Sequence, residues 1–130
     1  MLLAAFALAA AQPVAEPATE PTPDTEITVI ANRLRDWHGR WRLRKGAVAC
    51  KTTRSTGDKA IDAIGCDALV TCIAPLAPRF AEIEATKAAK EELSRRTNSL
   101  MTEAGVNDCL LAKRKAGIAA LAAARRSKRS

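Results

Sequence analysis

A single histidine, His38, and four cysteines without any CxxC spacing are this chain's complement of soft metal ligands, and they form no recognisable zinc or dithiol redox motif. Apolar runs are short as well. After the opening MLLAAFALAAA, no stretch approaches the roughly 20 apolar residues that a membrane-crossing helix needs. No cysteine closely follows that opening, so a lipid anchor is not indicated. Gly57-Asp58-Lys59 lacks both the leading glycine and the lysine followed by serine or threonine that a phosphate loop requires. No acid follows Asp108. On these grounds no catalytic residue, metal ligand or cofactor is assigned.

What the chain does have is concentrated between Cys50 and Cys72, CKTTRSTGDKAIDAIGCDALVTC, which holds three of the four cysteines and the most apolar periodic run. The spacing predicts a helix from about Asp58 to Ile73, with Ile61, Ile64, Gly65, Ala68 and Cys72 on one side. Ser55 or Thr56 is the expected cap, Asp58 and Asp62 favour the positive end of the helix dipole, and Pro75 and Pro78 are expected to end the helix. On such a helix, Cys66 and Cys72 would lie roughly 10 Å apart, beyond the roughly 7 Å that a disulfide spans. Each must then pair with Cys50 or Cys109. Cys50–Cys66 with Cys72–Cys109 is the first choice, and Cys50–Cys72 with Cys66–Cys109 is the alternative.

Cysteines that match no metal or redox pattern fit an oxidising compartment. Residues 1–11 read as a signal peptide closing on Ala9 and Ala11, although they lack a basic start. The alternative is an alanine-rich helix of a cytosolic protein. Residues 12–25 carry four of the six prolines together with Glu16, Glu20 and Asp24, the composition of a disordered acidic linker. A periplasmic or secreted fate is thus expected.

From Glu26, the alternation of EITVIAN predicts a strand with Ile27, Val29 and Ala31 on one face. RLRDWHGRWRLRKGAVACKT predicts a hairpin turning at Lys45-Gly46, with Trp41, Leu43 and Trp37 inward and Arg40, Arg42 and Arg44 outward. Beyond Pro78 the chain reads as helical, with ion pairs expected for Glu84 with Lys87 and Glu91 with Arg95. Gly105 reads as a cap, and a new helix is expected to open at Cys109. The expected fold is α+β: a small antiparallel sheet of about three strands, a disulfide-stapled central helix and one or two further helices. Residues 26–110 form that domain, and 111–130 a basic C-terminal helix or tail. With TGDKAIDAIGCDALVTC at its centre, the stretch from 26 to 110 resembles small exported proteins of unknown function from Gram-negative bacteria, a resemblance that implies no activity.

Residues 26–130 hold twenty-one basic against eleven acidic residues, a balance of +10. The cations concentrate in two places. One is Arg33, Arg35, Arg40, Arg42, Arg44 and Lys45 around the tryptophans; the other is the C-terminal run. Such surfaces attract anions in general. The leading expectation is an exported, non-enzymatic domain that binds an anionic envelope component or an acidic protein through the first group. A hydrolase using Asp58, Asp62 and His38 is one alternative. An intracellular nucleic-acid-binding protein, stacking bases on the tryptophans, is the other.

Overall fold

A computed structural model describes residues 23–129, so the expected signal peptide and all but the last residues of the expected linker lie outside the described residues. In chain order come α1 (Pro23–Leu34), a hairpin of β1 (His38–Arg44) and β2 (Ala47–Arg54), and α2 (Lys59–Ile73). A 3-10 turn (Ala74–Leu76), α3 (Ala77–Ala85), α4 (Lys90–Glu103) and α5 (Val106–Arg129) follow. The class is α+β, with a two-stranded antiparallel sheet among the described residues rather than about three strands.

The missing strand is α1. EITVIAN alternates, but Ile27, Ile30, Ala31 and Leu34 also satisfy a helical period, and a short β-branched run does not distinguish the two. Pro23 opens the helix where its missing N–H costs nothing, and Arg33 sits in the last turn. Packing then selects a different face from the one that alternation predicts. Ile30 and Leu34 are buried, whereas Val29 is 50 % exposed. Residues 23–25, assigned by sequence to the linker, belong to this helix.

Helix α2 is the central element, and its start differs in detail from expectation. Asp58 is the cap, its carboxylate accepting from the amides of Ala60 at 3.0 Å and Ile61 at 3.3 Å. Ser55 and Thr56 instead brace Asp62 one turn in, their hydroxyls donating to its carboxylate at 2.5 and 2.7 Å. The prolines punctuate the helix without ending the helical path. Pro75 lies in the 3-10 turn and Pro78 in the first turn of α3, where no amide donor is needed. By length and composition alone, the run Lys59–Ala85 holds an 18-residue window, mean hydropathy 1.6, apolar enough to cross a membrane, a more apolar stretch than the sequence reading allowed for. In the fold, Ile61, Ile73 and Phe80 of that run are almost fully buried and form the core with Ile30.

Two disulfides hold α2 from different sides. Cys50–Cys66 joins it to β2 and Cys72–Cys109 joins it to α5, with Cα separations of 5.6 and 5.9 Å. The hairpin turns through Lys45 and Gly46, both at positive φ (51° and 80°), the conformation that two-residue hairpin loops favour. Trp37 is seated between Gly39 and Gly65. A Cβ on either glycine would come within 2.3 or 2.5 Å of its ring, so only glycine admits the indole at these two points. Its Nε1 donates to Thr52 Oγ1 at 3.0 Å. Trp41 meets Phe80 with ring centroids 4.7 Å apart.

On α4, Glu92 rather than Glu91 is the acid that pairs. It accepts from Arg95 and Arg96 at 2.5 and 2.9 Å, and together these guanidiniums, Arg95 first, hold its carboxyl down to about 2. Lys87, expected to pair with Glu84 on a helix, lies beyond the end of α3 at a positive φ of 54°. Helix α5 begins at Val106, three residues before Cys109, and runs unbroken past residue 111 to Arg129. The basic end is therefore part of the folded body. Arg125 reaches Asp58 at 2.5 Å, and Arg129 pairs with Glu26 at the start of α1.

Candidate anion-binding surface

Strand pleating places alternate residues on opposite faces. Along β1, Gly39, Trp41 and Leu43 are half-buried while His38, Arg40, Arg42 and Arg44 are exposed. The inward face is fixed to α2 by Cys50–Cys66 and by the Trp37 contacts, so the outward face is displayed on a braced support. On that face the three arginines recur at about 7 Å intervals.

The pairing register adds cations that the sequence reading did not include. Arg40 lies opposite Lys51, and His38 lies opposite Arg54. Like charges directly opposite each other in a sheet are destabilising. Residues 38–54 hold six Lys and Arg and no acid. Among the described residues, none of Arg40, Arg42, Arg44, Lys45, Lys51 and Arg54 makes an ion pair. Lys51 was detectable in principle, because once the Lys45-Gly46 turn is fixed, counting back along both strands puts it beside Arg40; Arg54 comes opposite His38 only through the register shift between His38 and Gly39.

The other two expected members do not join this face. Arg33 is on α1, 3.8 Å from the Asp58 carboxylate, and Arg35 lines a cleft between α1 and α5. The six cations grouped by sequence therefore divide into four on the hairpin and two on the helical side.

The carboxylates at the start of α2 are structural in their contacts. Arg125 and the helix amides of Ile61 and Ala60 hold the Asp58 carboxyl below its ordinary range. Ser55 and Thr56 do the same for Asp62. Each is thereby kept as an ionised acceptor with its own set of donors, whereas an acid–base pair needs one member shifted upward. His38 is exposed at the start of β1. Among the described residues no group of three or more His, Cys, Asp or Glu is placed to hold a metal ion. The tryptophans face inward, Trp37 buried and Trp41 against Phe80, so neither presents a free ring for base stacking.

No family model, curated protein or solved structure matches this chain.

Proposed function

We propose that this chain is an exported, non-enzymatic binding domain that engages an anionic component of the cell envelope through the outer face of its hairpin. The observation that carries the reading is the uncompensated face itself: Arg40, Arg42, Arg44, Lys45, Lys51 and Arg54 with no carboxylate partner among the described residues, and Arg40 set against Lys51. A polyanion laid along the strand would relieve that repulsion. The two disulfides support an oxidising destination.

The test is binding to vesicles containing phosphatidylglycerol, and to lipopolysaccharide, at low and moderate salt. Each cation near an anionic membrane contributes about 1 kcal/mol. Arg40, Arg42 and Arg44 changed together to Gln should therefore weaken binding on the order of 100-fold at low salt. Undiminished binding by the triple variant would end the proposal. Alkylation of the natural protein before reduction checks the address, since free thiols at all four cysteines would contradict export.

A further inference from the structure

A second candidate site lies away from the hairpin. Helices α1 and α5 run antiparallel, since Glu26 near the start of one meets Arg129 at the end of the other, while Leu34 and Leu111 share a cleft at their opposite ends. Ile27, Ala31 and Leu34 line one wall, and Leu111 and Ile118 the other. The cleft measures about 430 Å³, within the range of small-ligand sites, roughly 300–1,000 Å³. Ile27 is 37 % exposed and Leu111 68 %, two of the three large apolar side chains left exposed among the described residues. Their convergence on one cleft is what distinguishes a site from scattered surface apolarity.

The rim carries charge of one sign. Arg35, Arg114 and Lys115 complete the lining, and no acid contributes to it. Arg114 is steadied by the face of Trp37, its guanidinium carbon 5.8 Å from the ring centroid. Its Nε is buried and has no hydrogen-bond acceptor among the described residues. A second copy docked here would bring three more cations against these three. A ligand with an aliphatic body and an anionic head matches both the floor and the rim.

We propose that the α1–α5 cleft binds a single-chain lipid anion, its acyl chain along Ile27, Leu34, Leu111 and Ile118 and its head group against Arg35, Arg114 and Lys115. This site does not depend on the hairpin, and the test keeps the two apart. Isotope-labelled full-length protein is titrated with sodium dodecanoate below its micelle concentration. Saturable chemical-shift changes are expected at Ile27, Ala31, Leu111 and Ile118. Uncharged dodecanoyl glycerol should bind about tenfold more weakly, as should the variant with Arg35→Gln and Arg114→Gln, because charge-assisted hydrogen bonds are lost. Leu111→Gln, a change at an exposed position that leaves the fold intact, should weaken dodecanoate by removing acyl contact. The Arg40, Arg42 and Arg44 triple variant should bind dodecanoate unchanged. Four results would overturn the proposal: no saturable shifts, shifts confined to the hairpin, equal affinity for the uncharged lipid, or a concentration-dependent dimer through α1 and α5 that excludes dodecanoate.

Discussion

The hairpin and α5 are both rich in cations, both pack on α2, and each is fastened to it by one disulfide. They differ in what their charge does. At the end of α5, Arg125 and Arg129 reach back to Asp58 and Glu26, so the fold itself absorbs part of that charge. On the hairpin, no carboxylate among the described residues answers any of the six cations. A concentration of basic residues in a sequence therefore has two physical meanings. It serves as internal glue where acids on neighbouring elements can reach it, and as an outward-facing surface where they cannot.

The comparison breaks most forcefully at the disulfides. Closing a loop of 37 residues restricts the unfolded chain more than closing one of 16. The entropic model gives about 4 kcal/mol for Cys72–Cys109 and about 3 kcal/mol for Cys50–Cys66. Replacing Cys72 and Cys109 with Ala should thus lower the denaturant midpoint more than replacing Cys50 and Cys66. Their functional effects should run the other way, because only the shorter loop braces the hairpin. If both double variants lost equal stability and equal binding to anionic vesicles, the hairpin and α5 would not be the separate units described above.

The sequence carried the centre of this architecture better than its edge. A spacing of six positions from Cys66 to Cys72 on one helix already kept those two sulfurs apart, and Lys45-Gly46 set the hairpin turn. EITVIAN misled because alternation and helical periodicity coincide over seven residues, and the choice between them rests on Ile30 and Leu34 meeting a core assembled from distant segments. Arg125 with Asp58 joins positions 67 apart, and no local spacing reveals such a pair. Ser55 and Thr56 looked like caps for a local reason: Asp58 offered an equally good capping pattern, and Asp62 took their donors. Of the candidate surface, the β1 arginines were readable from strand alternation. Lys51 and Arg54 required the register, and separating Arg33 and Arg35 from the group required knowing that their segment is helical.

Asp58 gives a smaller effect with a defined pH signature. Its folded carboxyl lies below the ordinary range, so the unfolded chain takes up a proton first as pH falls. The stabilisation is present above the unfolded carboxylate value near 4 and is lost as pH drops through the lower folded value. Asp58→Ala removes the cap and the partner of Arg125 together and should cost about 2 kcal/mol at neutral pH. Asp58→Asn retains a capping oxygen but not the charge that Arg125 and Arg33 face. It should therefore be milder at pH 7 and should flatten the acid limb of a thermal-unfolding series, although Asp62, Glu26 and Glu92 contribute to that limb in the same direction. An acid limb as steep in Asp58→Asn as in the parent would show that the Arg125 contact adds nothing to the fold.

The smallest effect on stability should accompany the largest contrast in role. Arg125→Gln leaves Asp58 without its nearest cation, and the pair is only partly exposed, with side-chain exposures of 33 and 19 %. A loss of about 1 kcal/mol is expected, in the upper range for such pairs. Arg42→Gln removes a charge that no carboxylate among the described residues meets, so its change should stay within about 0.5 kcal/mol. It should even be slightly stabilising, because Arg40, Arg44 and Lys45 then repel one neighbour fewer. Paired denaturant titrations of the two single variants at low salt decide the matter. Equal losses would mean that Arg42 is held by the fold as Arg125 is, and the outward face would then have no surplus charge to offer a partner.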